Sequence, residues 1–543
     1  MRKEYVELMV YTREANADNY PEGLAYSIHM ACRMEGDTFV PLNKNYGILF
    51  AEALISQDNI ILPKGVKDPK ICSMGNGIYG IHAIRVNEDG SEDVSCLGKV
   101  LLWKTKDFIE FEHVGLVSSS EVCGTDKKSC IEIDKSVAER AALYWNPIVN
   151  TEVRVPEAIE VSSEEELDKV GAVAVYSDGS IANKKVVWKK ETIDFAKPGI
   201  YEVQGDVLNR EFSFPLTIGY GDPVIFPWEG KWYYISTNDN LNDIGLYVRE
   251  ADTVENLFVS DAVEHLILGL DRERGFIQTF WAPEFHVIGE ELYILFAVGG
   301  EIWGPQCHLM KLKKGQSIVN ADSWEEPVRV RRKDGGFLTK DGITLDMTYI
   351  KADGRSYMVW SYRKDIGTPM DTGSMLYIAT VDEKAPWVLT SDPVLLSRPL
   401  FGWENVAGTI NNEGPYAFVS SGKVYLTYSG GSANAYTYAL GLLTSETKAD
   451  LLDVSVWKKQ GTPVLSFYSV EGEYGPGHNS FYTDEEGNLM IAYHAETALD
   501  SHIRCDGVRR VHFRKDGSPV FGMSKQEDLN PALRKVTAKV TVK

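Results

Sequence analysis

One short pattern recurs five times in this chain from about residue 218 onward. A glycine is followed, within a few residues, by a run of apolar and aromatic β-formers. The copies open at Gly230 (Lys231-Trp232-Tyr233-Tyr234-Ile235), Gly289 (running to Phe296), Gly354 (to Trp360), Gly422 (to Tyr428) and Gly487 (to Tyr493). They are spaced 59, 65, 68 and 65 residues apart. A strand-rich unit of this kind cannot bury its own faces, so repeated copies must stack on one another. The interval exceeds what four strands need and leaves room for long loops. Further strands, such as Met375-Leu376-Tyr377-Ile378-Ala379, and closing tryptophans at Trp324, Trp387 and Trp457 complete the units. The pattern predicts an all-β chain whose residues 218–543 form a five-bladed β-propeller.

Two regions precede it. Residues 1–145 are turn-rich and strand-like. Gly75-Asn76-Gly77-Ile78-Tyr79-Gly80-Ile81 and Gly98-Lys99-Val100-Leu101-Leu102-Trp103 read as partial propeller-like blades, and Lys67-Asp68-Pro69 echoes a later Gly221-Asp222-Pro223. One or two blades alone leave faces uncovered, so this region is expected to pack on another part of the chain. Residues 146–217 alternate short strands with turns: Ala172-Val173-Ala174-Val175-Tyr176, a Ser177-Asp178-Gly179-Ser180 turn, Val186-Val187-Trp188, and Pro198-Gly199-Ile200-Tyr201. That spacing predicts a small β-sandwich, and the residues resemble bacterial Ig-like domains. The acidic stretch Ser162–Leu167 reads as a short helix. Elsewhere, helical periodicity is nearly absent.

A length of 543 residues calls for several domains. The net charge of −22, spread along the chain, argues against nucleic acid as a partner. No apolar stretch is long enough for a membrane helix, and the N-terminus shows no secretory h-region. The seven cysteines are scattered with no CxxC pair, which points to free thiols and a cytoplasmic location. The oligomeric state is not legible.

Three carboxylates stand ahead of repeat hairpins. Asp222 precedes Gly230 by eight residues, Asp346 precedes Gly354 by eight, and Glu413 precedes Gly422 by nine. The innermost strand of each blade opens toward the central funnel, so all three are expected at equivalent positions in one shared pocket. A pair of such groups, one acid and one base, is what glycoside hydrolysis needs, and a third can tune the acid.

The ordered set Gly221-Asp222-Pro223, Trp281-Ala282-Pro283-Glu284, Leu345-Asp346, Glu413-Gly414-Pro415 and Gly475-Pro476-Gly477-His478-Asn479-Ser480 resembles glycoside hydrolase family 43. The resemblance implies Asp222 as general base, Asp346 as pKa modulator and Glu413 as general acid of an inverting hydrolysis. It implies an exo-acting enzyme on arabinose- or xylose-containing oligosaccharides, α-L-arabinofuranosides first, with β-D-xylosides or β-D-galactofuranosides as alternatives. Trp281 and Glu284 are candidate pocket-lining groups. Arg509 and Arg510, in the last blade, are candidates for contact with a substrate hydroxyl or with the pocket carboxylates. His478, after a Gly-Pro-Gly turn, is the candidate neighbour of a calcium or other structural cation near the axis; the chemistry itself requires no cofactor. A retaining fructosidase is disfavoured, because Glu413 lacks a following cysteine. A carbohydrate-binding propeller without turnover would have lost one of the three carboxylates, and none is missing.

Overall fold

The computed structural model describes residues 4–122 and 128–543. Among these, five antiparallel sheets follow one another in the order of the repeats. Blade 1 runs through Tyr220–Trp228, Lys231–Asn238, Leu246–Ala251 and His265–Leu268, and blades 2, 3 and 4 repeat this four-stranded meander. Blade 5 has three strands, Tyr474–Thr483, Leu489–Glu496 and Cys505–Arg510, followed by a separate two-stranded hairpin. Each repeat glycine lies in the turn between the first and second strands of its blade; Gly230, Gly354, Gly422 and Gly487 take φ near +80°, which a side chain rarely tolerates.

The sheets stack face to face. Among the described residues, five apolar clusters each join neighbouring blades. Val224, Ile235 and Val248 of blade 1 meet Phe285 and Ile294 of blade 2. Leu295 and Leu309 meet Met358 and Trp360 across blades 2 and 3. Tyr357 and Ile378 meet Leu426 and Tyr428 across blades 3 and 4, and Tyr425 and Leu442 meet Ile491 and Tyr493 across blades 4 and 5. The ring closes where Ile225, Trp232 and Tyr234 of blade 1 pack on Tyr482, Met490 and Val508 of blade 5. The backbone also closes the ring here: Leu216 N donates to the Asp506 carbonyl at 2.9 Å and Gly219 N to the Arg504 carbonyl at 2.8 Å, so the segment leading into blade 1 pairs with the third strand of blade 5, and each large buried side chain adds roughly 1.5–3 kcal/mol.

The N-terminal region holds two four-stranded sheets. One is ordered Cys130–Asp134, Tyr5–Tyr11, His29–Arg33, Val40–Pro41; the other is the meander Lys64–Gly75, Ile78–Asn87, Lys99–Thr105, Glu112–Ser118. They share a core of Leu8, Met30, Val66, Ile81 and Trp103. The expected packing on another part of the chain is present: Tyr20, Leu24, Tyr46 and Phe50 join the cluster between blades 3 and 4. An 11-residue helix, Lys135–Trp145, was not anticipated. Its buried face is made of Ala138 and Ala141 rather than large apolar residues, which leaves little periodic signal.

The Ig-like region differs from the expected boundary. Its strands Asn150–Arg154, Ala158–Val161, Ala172–Tyr176, Ile181–Trp188 and Gly199–Leu208 are completed by the C-terminal strand Lys535–Val542, which lies between Gly199–Leu208 and Ala158–Val161. The propeller therefore ends before residue 535, and residues 535–542 belong to the sandwich. The physical reason is alternation: Ala538, Val540 and Val542 are buried while intervening residues are not, and Ala538 and Val540 fill a core already holding Val186, Trp188 and Val203.

Cys72 is disulfide-bonded, which corrects the expectation of free thiols throughout. Cys32, Cys96, Cys130, Cys307 and Cys505 are free. Among the described residues no helix is long and apolar enough to cross a membrane.

Candidate active site

The innermost strand of every blade carries the same irregularity at its head. The ladder to the second strand breaks between Gly221 and Val224, Trp281 and Glu284, Leu345 and Thr348, Glu413 and Tyr416, and Gly477 and Ser480. Each break is a bulge with a residue in the left-handed region: Asp222 (φ 58°), Ala282 (46°), Asp346 (53°), Gly414 (54°) and His478 (40°). Bulges re-aim side chains that a regular strand would send into the sheet faces. Asp222, Asp346 and His478 are thus register equivalents. Glu413 is not: it stands one residue earlier, at the level of Trp281. The extra residue counted from Glu413 to its hairpin is this offset, which corrects the expectation of three equivalent positions. Asp68 occupies the same kind of bulge in the N-terminal meander, with φ 50°, but its side chain is exposed and paired with Lys70 at 2.7 Å.

Asp222 is the best-anchored carboxylate. Oδ2 accepts from Thr237 Oγ1 at 2.5 Å, and Oδ1 faces Arg504 Nη1 at 2.9 Å and His478 Nδ1 at 3.0 Å. Its amide donates to His494 Nδ1 at 3.2 Å. Burial alone would raise its pKa, but the Arg504 guanidinium, His478 and His494 outweigh burial and hold it well below the usual carboxylate range. The ionised form is the resident one.

Glu413 is in the opposite condition. Burial, then the charge of Asp346, push its pKa up to about 7, against the opposing pull of His478 and of the Tyr438 hydroxyl, which donates to Oε1 at 2.9 Å. Asp346 is also raised, by burial first and by the charge of Asp222, with His478 opposing; its Oδ2 accepts the Gly414 amide at 3.0 Å and faces Ser361 Oγ at 3.4 Å. Gly414 has to be glycine. Besides its positive φ, an added Cβ would lie 2.8 Å from the His478 ring.

His478 lies among these groups. Burial would lower its pKa, yet Asp222, Asp346, Glu413 and Glu284 together raise it. Its Nδ1 is committed to Asp222 at 3.0 Å. Among the described residues no group of three His, Cys, Asp or Glu is arranged to hold an ion. With Nδ1 turned to Asp222, His478 and the carboxylates around it do not make a ready ligand set for a directly bound cation.

The other expected pocket residues divide. Trp281 stands at the funnel end of its strand, half-buried, with Nε1 donating to Asp243 Oδ2 at 2.8 Å. Glu284 is buried below it and bonded to His286 Nε2 at 2.6 Å, so it is not a rim contact; Ala282 takes the bulge position that would have turned a carboxylate outward. Arg509 pairs with Glu473 and donates to Tyr493. Arg510 pairs with Asp528 and reaches Tyr176 Oη at 3.1 Å, joining the propeller to the Ig-like domain. Neither arginine reaches the carboxylates. Their strand, Cys505–Arg510, starts at the funnel face and descends, so position 504 stands at the site and positions 509 and 510 lie roughly 16–20 Å along the strand.

Arg504, His494, Thr237 and Tyr438 were not anticipated. Arg504 grips Asp239 with Nε at 2.9 Å and Nη2 at 2.5 Å while Nη1 holds Asp222. Thr237 links blades, donating to Asp222 and accepting the Ala282 amide at 2.9 Å. Tyr438 stacks on His494 with centroids 5.4 Å apart. Strand direction was the one signal that could have singled out Arg504.

Residues 215–519 match the family model "Glycosyl hydrolases family 43", and residues 172–209 match "Bacterial Ig-like domain (group 4)". The chain is 29% identical over 323 residues to "Alpha-L-arabinofuranosidase B" of Pyricularia oryzae, covering 58% of this chain and 63% of that protein. It is 30% identical over 331 residues to "Extracellular exo-alpha-(1->5)-L-arabinofuranosidase" of Streptomyces avermitilis, covering 59% of this chain and 65% of that one. The match thus spans slightly less than two thirds of either relative. A solved α-L-arabinofuranosidase from Lactobacillus brevis superposes with a TM-score of 0.48 at 29% identity, over 57% of this chain and 95% of that one. The extracellular relative, and a second so named from Streptomyces chartreusis, overturn the expectation of a cytoplasmic location. Through a family match that takes in all five blades, the chain belongs to glycosyl hydrolases family 43.

Proposed function

We propose that this protein is an exo-acting α-L-arabinofuranosidase that hydrolyses arabinose-containing oligosaccharides with inversion. The observation that carries the catalytic part is the opposite displacement of two carboxyl pKa values in one funnel: Asp222 held far down and Glu413 pushed up to about 7. Groups whose surroundings drive their pKa values apart mark the base and the acid. Asp222, ionised, takes a proton from the attacking water. Glu413, protonated, delivers its proton to the leaving glycosidic oxygen from the opposite face of the sugar. Asp346 keeps Glu413 protonated through its charge and holds the neighbouring amide in place. An inverting pair leaves room for water between its carboxyl groups, about 6.5–9.5 Å. The negative charge of the surrounding carboxylates favours the protonated form of His478, whose positive charge in turn limits their mutual repulsion.

The sugar rests on the names of the relatives described above, all of them arabinofuranosidases at 29–30% identity. The test is a side-by-side assay of nitrophenyl α-L-arabinofuranoside, β-D-xyloside and β-D-galactofuranoside, with the first product anomer followed by NMR. Preferential release of arabinose with inverted configuration is expected. Preference for another glycoside, or a retained anomer, would overturn the corresponding part. Glu413→Gln is expected to abolish hydrolysis of oligosaccharides with poor leaving groups while leaving the fold intact.

A further inference from the structure

The N-terminal region reaches the catalytic face. Its turn Asn16–Tyr20 closes through the Asn16–Tyr20 backbone bridge and through Asp18 N donating to Asn16 Oδ1 at 3.0 Å. Residues 14–19 are exposed, while the flanks are anchored. Arg13 lies 3.7 Å over the Tyr20 ring and donates to Tyr468 Oη at 3.1 Å, and Tyr20 stacks on Tyr468 with planes 9° apart. Tyr468 belongs to the connection from blade 4 to blade 5, on the funnel side. The tip of the turn touches blade 4 itself: Tyr436 Oη donates to the Ala17 carbonyl at 3.3 Å.

Tyr436 is two residues from Tyr438, the hydrogen-bond partner of Glu413. The neighbouring Ala435 carbonyl closes against Gly475 at the head of the innermost strand of blade 5, leaving no space there for a Cβ. The blade 5 loop completes the group, with His502 Nδ1 2.8 Å from the Asn434 carbonyl. Asp18 and Asp500 are both near enough to the half-buried Tyr436 phenol for their charge to act on it. Three surface pieces thus meet around residues 434–436, two residues along the chain from the partner of the acid: the turn 14–19, the blade 4 loop and the blade 5 loop.

An inverting acid protonates the oxygen of the departing group, so the leaving saccharide lies on the Glu413 side of the funnel. Blade 4 carries Glu413, and the turn borders blade 4. From this juxtaposition we infer that the exposed turn 14–19, together with Tyr436, forms a subsite for the leaving-group sugar. The ligand is a neutral saccharide whose hydroxyls meet the Asn16, Asp18 and Asn19 side chains and whose ring lies along Tyr436. A neutral sugar suits a surface whose tip, residues 14–19, offers amide and carboxylate groups beside the Tyr436 phenol.

This reading rests on the proposed hydrolase, and the test separates the two. A variant carrying Asp18→Ala and Asn19→Ala, and separately Tyr436→Phe, would be assayed on the aryl arabinofuranoside and on linear arabino-oligosaccharides, with Tm as a control on folding. Loss of these hydrogen bonds is expected to lower kcat/KM on the oligosaccharides about tenfold, mainly through KM, with the aryl substrate unchanged. Equal loss on both substrates, or no loss on either, would overturn the subsite. If the wild type releases xylose instead, the arabinoside reading falls, and the same comparison with aryl xyloside and xylo-oligosaccharides still decides the inference.

Discussion

Asp346 holds the amide of Gly414, the residue directly after Glu413, at 3.0 Å. The same carboxylate that raises the pKa of the acid therefore also fixes the backbone from which the acid projects. Asp346→Asn keeps the shape and removes the charge. The expected outcome is a Glu413 pKa below about 7 and an alkaline limb of the kcat/KM profile moved to lower pH. A pH–rate profile of the variant on an oligosaccharide checks this, and an unmoved limb would separate Asp346 from the acid.

The wild-type profile follows from the same shifts. Asp222 remains ionised far into the acid range, so activity should persist well below the ordinary carboxylate pKa. It should fall as pH rises through about 7, where Glu413 loses its proton. A carboxyl whose folded pKa is raised binds its proton more tightly in the folded state, so its charging destabilises the fold as pH rises from the unfolded value of 4.5 to about 7. Glu413→Gln should raise Tm at pH 8 and leave it nearly unchanged at pH 4, as thermal melts at the two pH values would record.

Arg504 is the principal charge partner of a buried Asp222. Arg504→Ala leaves that carboxylate uncompensated, at a cost of about 3–5 kcal/mol for breaking a buried pair. The Asp222 pKa should rise and the acid limb of the profile should move up with it. Arg504→Lys should recover little, because the guanidinium spans Asp222 and Asp239 at once, a geometry a lysine cannot copy. Denaturant melts and pH profiles of both variants distinguish the two effects.

Tyr438→Phe removes a single hydrogen bond to Glu413 and keeps the ring stacked on His494. A loss of roughly tenfold in kcat, corresponding to ~1–1.5 kcal/mol, is expected with the fold preserved. Steady-state kinetics alongside circular dichroism provides the measurement.

Arg510→Ala should do the reverse. Its partners Asp528 and Tyr176 lie at the junction with the Ig-like domain, where Lys184 also pairs with Asp528 at 3.0 Å. Stability should drop by about 3–5 kcal/mol. At temperatures where the variant is folded, kcat/KM should match the wild type.

By itself the sequence determined the number and kind of repeating units, since a glycine at a hairpin followed by β-forming residues is a local instruction. It also determined which carboxylates stand at the heads of innermost strands, because Asp222, Asp346 and Glu413 precede those hairpins at nearly constant spacing. The tertiary structure decided what spacing cannot encode. The left-handed residue takes the same bulge position in every blade, and Glu413 stands one residue before it, an offset that shows only once the ladder is in place. The choice of Arg504 over Arg509 and Arg510 depends on the direction of the third strand in blade 5. The capture of Lys535–Val542 by the Ig-like sheet joins residues more than 300 positions apart. The contrast between Asp222 and Glu413 is likewise non-local. Both sit in the buried funnel, and only the charges brought beside each, cationic for Asp222 and the Asp346 carboxylate for Glu413, send their pKa values in opposite directions.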